Sequence, residues 1–361
     1  MQRVPVKLLY VCNFSNIHAR SLVAYFAARP TDWSVTVLSS DPAEPMDNVR
    51  LLELNAGRGL RRAVTRGRFA RLAYRAMEYA PRILVWMRKL EFLVQVMRNR
   101  RHAPTILRDE RFDVMHALRL QPEGIIADRI KRGRPDLPFF LTTWGQDLVL
   151  FAGRRGWLAR LSRVALKRVD ALFPDNERDE RLAREHFALR SDCRSVVMPA
   201  TGGIRPEELP DWPADPTIAG SPSLLSMRGY ENAYIRLRVL IQAFARFLET
   251  HPDARLHIDV NAIRRNPERD ALVRQWIRES GVGDRARLLH LDRDQVLAHM
   301  ANCDLYVSAT VSDGLPMSLV EALWYGQLAV VHRLESLERI AERTDGVRFY
   351  QRIRVEDIAE A

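Results

Sequence analysis

The sequence predicts an α/β protein built from two parallel-sheet domains in series. Two observations carry this. Short apolar runs alternate with longer amphipathic stretches along almost the whole chain, the pattern of repeated βα units. That alternation stops once, between Pro199 and Pro222, in a stretch holding six prolines and three glycines, and then restarts. A chain of 361 residues with 47% hydrophobic and 28% charged residues is long enough and apolar enough for two cores. The expected division is 1–200, a linker at 201–222, and 223–361. No internal repeat or low-complexity tract interrupts it.

Taken in order, residues 7–12 form a buried strand, 17–28 a helix and 33–38 a second strand. A basic segment, 58–111, is helical by composition and broken at Pro81. Further strands are expected at 112–116 and 139–143 with helices between them, then at 171–173 and 195–198. The second half starts with a strand at 223–227 and a helix at 237–247. Strands at 255–259 and 287–290 flank a helix at 267–279. A short helix at 295–300 precedes the strand 305–307. A helix from Met317 then leads to the strand 328–331. Residues 354–361 read as the start of a helix that is cut off. Two such sheets facing one another leave a cleft at the carboxyl ends of their strands, where ligands bind in folds of this kind.

The formal net charge is +11. Residues 58–111 hold fifteen Arg or Lys and four Asp or Glu, so this segment carries the whole excess. Its basic residues alternate with large apolar ones, among them Phe69, Trp86 and Phe92. A solvated helical face, nucleic acid and a membrane surface are the three readings. No nucleic-acid motif accompanies the charge, and nucleic acid is not expected as a partner. Basic residues mixed with aromatics on helices suit anionic lipid headgroups, so 58–101 is read as a membrane-facing segment. Cys12, Cys193 and Cys303 are widely spaced and odd in number, which fits neither a disulfide framework nor a zinc site. Residues 1–7 lead into a strand without a signal-peptide core, and no apolar run reaches spanning length. The expected location is cytoplasmic, peripheral to the inner face of the cytoplasmic membrane.

The chemistry concentrates in residues 308–326. An apolar strand runs into a polar loop containing Asp313, Gly314 and Pro316, and an apolar-periodic helix follows. Seven residues separate Asp313 from Glu321, which puts one carboxylate on the loop and the other inside the helix. The N–H groups and partial positive charge at the helix N-terminus suit a phosphate. Glu321 is then placed for ribose hydroxyls and Asp313 for whatever hangs from the phosphates. Arg228 follows a buried strand, where a guanidinium can hold a diphosphate in bidentate fashion. Asp292-Arg-Asp294 lies between a strand and a helix, so Asp292 is read as an N-cap rather than a metal ligand.

The frame Asp313-Gly314-Leu315-Pro316 … Glu321-Ala322 … Gly326 resembles the donor-binding motif of family 4 retaining glycosyltransferases. Asp313 stands where that motif usually has Glu. The resemblance extends along nearly the whole chain. Residues 13–20 are similar to the loop that opens the first helix, and 112–116 to the strand ending in His. Residues 142–147 are similar to the Thr-x-His-Gly-x-Asp turn with Trp144 in place of His, and 227–229 to the donor-side Arg. The family usually adds a Lys at the position of Ala233; Arg236 and Arg238 are its nearest substitutes. The family normally closes with a long helix, so the resemblance implies that the chain is a fragment or has a reduced closing element. The resemblance implies a GT-B architecture of two Rossmann-like domains and sugar transfer from a nucleotide diphosphate sugar to an acceptor hydroxyl. The anomeric configuration would be retained, with no metal and no further cofactor. The implied catalytic residues are Asp313, Arg228, His116 and Asp147. The implied donor-binding residues are Glu321, Gly314, Leu315, Pro316, Met317 and Arg228. His116 and Asp147 have alternative readings as a satisfied structural histidine and a turn or cap residue. The acceptor would be a glycan, such as a growing bacterial surface glycan on a lipid carrier. A non-catalytic sugar-nucleotide or glycan-binding protein, and a nucleotide-sugar epimerase or hydrolase, are the alternatives on the same fold.

Overall fold

A computed structural model describes residues 4–54, 81–153, 155–218, 222–232, 234–264 and 266–361; the side chains of 81–88, 91, 100, 101 and 208 are outside this description. The chain divides into two units, Met1–Gly203 and Ile204–Ala361. Helices are numbered over the described residues.

The first unit holds a seven-stranded sheet in the order β3-β2-β1-β4-β5-β6-β7. Its strands are β1 (Val6–Cys12), β2 (Trp33–Ser39), β3 (Val49–Glu53), β4 (Val114–Leu118), β5 (Phe139–Thr143), β6 (Ala171–Pro174) and β7 (Arg194–Ser195). All pair in parallel. Between them run α1 (Ile17–Ala27), α2 (Pro81–Ile106), α3 (Ile125–Gly133), α4 (Trp157–Leu166) and α5 (Glu177–His186). Parallel strands are buried on both faces, and β1 shows why its sequence is apolar throughout. Leu9 and Val11 enter a cluster with Met115 and Leu141, whereas Leu8, Tyr10 and Cys12 enter another with Phe14, Val23 and Val37.

Several boundaries differ from those expected. The strand read as 112–116 is Val114–Leu118, because Ala117 and Leu118 are apolar and pair with Leu141 and Thr142. His116 is therefore inside the strand, not at its end. The strand read as 195–198 is assigned only at Arg194–Ser195, although Val196 N and Met198 N still donate to Leu172 O and Pro174 O. The half-buried edge strand β3 is an addition. Pro81 opens α2, the helical position at which a missing N–H costs least. Residues 55–80, the first part of the basic segment, lie outside the described residues. Phe92 in α2 is 1% exposed and packs on Phe151 with ring centroids 5.2 Å apart, in a cluster with Val96, Ile125 and Leu158. It fills the core of this unit and is withdrawn from the lipid-facing set.

The second unit holds a six-stranded parallel sheet in the order β10-β9-β8-β11-β12-β13. These are β8 (Ser223–Ser226), β9 (Arg255–Asp259), β10 (Ala286–Leu289), β11 (Leu305–Ser308), β12 (Leu328–His332) and β13 (Val347–Tyr350). Its helices are α6 (Leu237–Phe247), α7 (Pro267–Glu279), α8 (Arg293–Asn302), α9 (Met317–Trp324), α10 (Glu335–Ala341) and α11 (Val355–Ala359). The Pro/Gly-rich stretch is anchored here: Leu209 and Ile218 are buried with Leu225, Leu297 and Met300. In each sheet the strand order reverses once, at β1/β4 and at β8/β11, the topological switch points of an open parallel sheet.

All three cysteines are free and buried, and burial pushes each thiol above its ordinary range, Cys303 to about 12. Among the described residues no helix is long and apolar enough to cross a membrane.

Candidate functional site

The residues singled out in the second half of the chain meet at the β8/β11 switch point. Arg228 follows β8 and Asp313 follows β11, and Arg228 Nη2 donates to Asp313 Oδ2 at 2.5 Å. Both side chains are largely buried. The Asp313 carboxylate raises Arg228 still further above its ordinary range, against the opposing effect of burial, and Tyr230 and Tyr306 add to it. Gly229 fixes where Arg228 leaves the sheet. Its N–H donates to Asp259 O at 2.9 Å, and a Cβ there would collide with that same carbonyl.

The loop carrying Asp313 is held from its own backbone. Ser336 Oγ donates to Asp313 O at 2.9 Å, and Gly314 N donates to Asp313 Oδ1 at 3.0 Å. Pro316 caps α9 with an extended backbone (φ −68°, ψ 122°) and accepts from Leu319 N and Val320 N. Helix geometry leaves the N–H groups of Met317 and Ser318 without an intrahelical acceptor. Leu315 packs beneath the loop among Leu319, Leu334 and Leu337. Gly326, at φ +82°, ends α9 in the left-handed region.

Glu321 lies in the second turn of α9, 7% exposed. Its Oε1 accepts from Arg293 Nη2 at 2.7 Å. Arg293 opens α8, where Asp292 caps the helix: Asp292 Oδ1 accepts from Gln295 N at 2.9 Å and Gln295 returns a bond to Asp292 N at 3.0 Å. Each acidic residue of the motif thus has its own arginine. The second of these, Arg293, escaped the sequence reading because it sits in a string whose carboxylates draw the eye; its place at a helix start after a strand was the available signal. Ala233 lies outside the described residues. Arg236 Nη1 donates to Asn232 O and Ile235 O, at 2.7 and 3.1 Å, within its own loop. Arg238 is half-buried, with its Nη2 3.5 Å from Glu279 Oε2.

His116 and Asp147 belong to the first unit. The His116 ring lies among Tyr10, Phe140 and Phe173, with centroids 5.4, 6.2 and 5.4 Å away. Its Nε2 is 2.8 Å from Thr142 Oγ1. Burial pushes its pKa down to about 3, so the ring is neutral at pH 7. Asp147 is wholly buried and accepts from Leu120 N at 2.8 Å, Trp144 N at 3.1 Å and Arg119 Nε at 3.2 Å. Burial raises its pKa against those three contacts. Arg119 has φ +97°, rare outside glycine, and its guanidinium lies over the Trp144 ring at 5.2 Å. Asp147 therefore ties the ends of β4 and β5 together. A backbone strained at Arg119 leaves no mark in a sequence.

Residues 220–361 match the family described as Glycosyl transferases group 1. Solved structures similar in fold include a sucrose-phosphate synthase from Thermosynechococcus elongatus (TM-score 0.70, 12% identity, 99% of this chain and 88% of that one). A glycosyltransferase from Rickettsia africae is similar at TM-score 0.67 and 11% identity, over 99% of this chain and 86% of the other. HepE from Anabaena, solved in complex with UDP, is similar at TM-score 0.65 and 11% identity, over 99% and 88%. No curated protein matches the sequence. These likenesses show a two-domain Rossmann-like GT-B fold. The family match falls on the unit that carries Arg228, Asp313 and Glu321.

Proposed function

We propose that the protein is a retaining, metal-independent glycosyltransferase that uses a nucleotide diphosphate sugar. The observation that carries this is the Arg228–Asp313 pair at the switch point, beside an α9 N-terminus with Glu321 in its second turn. A diphosphate meets three things it needs there: a guanidinium for bidentate contact, open N–H groups and the positive end of a helix. Glu321, oriented by Arg293, accepts from ribose hydroxyls. A diphosphate engaging Arg228 releases Asp313, which then turns to the sugar. In the transfer, the bond between the anomeric carbon and the phosphate oxygen breaks. A bond from the acceptor oxygen forms on the same face, and the acceptor proton passes to the leaving phosphate. Arg228 offsets the charge that develops on that phosphate, the term expected to dominate such a site. His116, inside β4 and against Thr142 of β5, and Asp147, at the ends of both strands, serve the acceptor side by holding these two strands in place.

The acceptor in this reading is a lipid-linked glycan. The basic segment 58–101 brings the protein to the inner face of the cytoplasmic membrane. The HepE complexes with UDP and with UDP-glucose make UDP-glucose the first donor to try. The test is calorimetric titration with UDP, GDP and ADP, followed by donor turnover with and without glycan acceptors, each in EDTA. One diphosphate should bind, turnover should survive chelation, and Arg228→Ala should lose about 2–4 kcal/mol of transition-state stabilisation. Absence of binding by any nucleoside diphosphate would end this reading, and loss of turnover in EDTA would end its metal-independent part.

A further inference from the structure

The first sheet has its own switch point, between β1 and β4, and a pocket opens there. It is lined by Asn13 and Asn16 after β1, Asp41 after β2, Arg119 and Glu123 after β4, and Trp144 after β5. The space is about 20 Å³, somewhat more than the ~10–15 Å³ that one water-sized group needs.

Two of the lining residues carry polar atoms with nothing to bond. Glu123 is 2% exposed; its Oε1 accepts from Ser40 Oγ at 2.7 Å, but its Oε2 is buried without a partner. Trp144 Nε1 is likewise buried and unpartnered. An unpaired buried polar atom costs about 1–3 kcal/mol, so folded proteins give most of them a partner, from the chain itself, an ordered water, an ion or a ligand. Gln95 of α2 also lines the pocket and is half-buried, while Asn13, Asn16 and Arg119 each hold a contact elsewhere. Asn13 Nδ2 donates to Asp41 Oδ2 at 2.8 Å and Asn16 caps α1. Arg119 is held by Asp147. The buried polar atoms of this lining without a partner are one carboxyl oxygen and one indole N–H. A hydroxyl is the group that satisfies both, since it donates once and accepts as well.

We propose that this pocket is a single-hydroxyl subsite, in which one hydroxyl of a polyhydroxylated ligand donates to Glu123 Oε2 and accepts from Trp144 Nε1. The class of ligand rests on the sugar-transfer reading above; the subsite itself rests on the two unpaired atoms. Glu123 is also poised electrically. Burial pushes its pKa up to about 7, and Asp147 adds to that rise, while Arg119 and the Ser40 hydroxyl oppose it. Cys12 lies close enough to feel the carboxylate, and Asp41 lines the same pocket. A carboxyl so tuned stays beside a hydroxyl without the full cost of an isolated buried charge.

The experiment uses the full chain with UDP present. Methyl glucoside, galactoside and mannoside, and the monodeoxy analogue at each ring position, are titrated by ligand-observed NMR. One glycoside should bind, and removing one particular hydroxyl should weaken it tenfold or more. Trp144→Phe and Glu123→Gln should each weaken the parent glycoside by a similar factor while leaving that deoxy analogue nearly unchanged. Unaltered UDP affinity and thermal unfolding certify both variants; if either fails to fold, Ser40→Ala, which frees the Glu123 carboxyl, replaces it with the same expected loss. An unchanged parent-to-deoxy ratio in the variants overturns the proposal. So does UDP binding with no glycoside bound, since the pocket then holds only a water. Hydroxyl discrimination without UDP binding would keep the subsite and remove the donor reading.

Discussion

At the scale of single residues, the two carboxylates of the motif differ in what their arginines do. Arg228 is a prospective ligand contact, so Asp313 competes with the diphosphate for it. Arg293 orients Glu321, so the two act together. Substitutions should therefore diverge. Asp313→Asn should keep or raise UDP affinity while lowering turnover of the sugar nucleotide. Glu321→Gln should lower UDP affinity about tenfold, because a neutral amide makes weaker bonds to ribose hydroxyls than a carboxylate. Calorimetry beside turnover separates the two; a matching fall in UDP affinity in both variants would refute the competition. His116 supports a second prediction. Its folded-state pKa of about 3 is below its ordinary 6.5. Below pH 6.5 the unfolded chain takes up a proton that the folded one refuses, so stability falls as pH drops from 6.5 toward 3. Between pH 6.5 and 5 the loss is about 2 kcal/mol. Glu123 works in the opposite sense: its raised pKa gives stability present below 4.5 and lost as pH rises through 7. Comparing wild type with His116→Phe cancels the Glu123 contribution. Urea unfolding at both pH values should show the variant losing about 2 kcal/mol less than wild type on acidification; equal losses would mean that the ring is not held neutral.

Among the elements, those with continuous apolar runs were readable. β1, β5 and β9 announce themselves by composition; the structure adds the cap of α1, Asn16, whose side chain accepts from His18 N at 2.8 Å. β3 and β13 were not readable. Both are edge strands, one with Arg50 and Glu53 and the other with Arg348, and a half-buried edge lacks the apolar signal of the sheet centre. The helix α2 shows the limit of reading a charged, aromatic segment as one surface. Phe92 belongs to the core, while Leu90 and Met97 are exposed, at 43% and 48%. The lipid-binding proposal now rests on the arginines. Replacing Arg61, Arg62, Arg66 and Arg68 with Gln should remove roughly 1 kcal/mol each of attraction to an anionic surface. Sedimentation with phosphatidylserine vesicles at low salt should fall accordingly, and raised salt should release the wild type. Equal sedimentation with neutral and anionic vesicles would withdraw the membrane surface.

For the whole molecule, the two βα units and their order could be read from the sequence, and so could the loop-to-helix spacing of Asp313 and Glu321. What could not be read were the pairings across the sheet. Arg228 and Asp313 are 85 residues apart and become neighbours only because β11 is laid beside β8. Glu123 and Ser40 meet across 83 residues. Sequence spacing carries the period of a helix; it does not carry the lateral order of strands. The buried cysteines turn that division into units into something that can be timed. Cys12 and Cys193 belong to one unit and Cys303 to the other, and none is reachable by a thiol reagent until its surroundings open. The protein therefore carries its own clocks, one set per unit, with no label to be engineered. UDP at a hundredfold excess over its dissociation constant adds about 2.7 kcal/mol to whatever must open against it. Mass spectrometry of the modified peptides should show Cys303 slowing by about a hundredfold while Cys12 and Cys193 keep their pace. If all three slowed together, the clocks would be geared to one another, and a nucleotide held by one sheet would be protecting both.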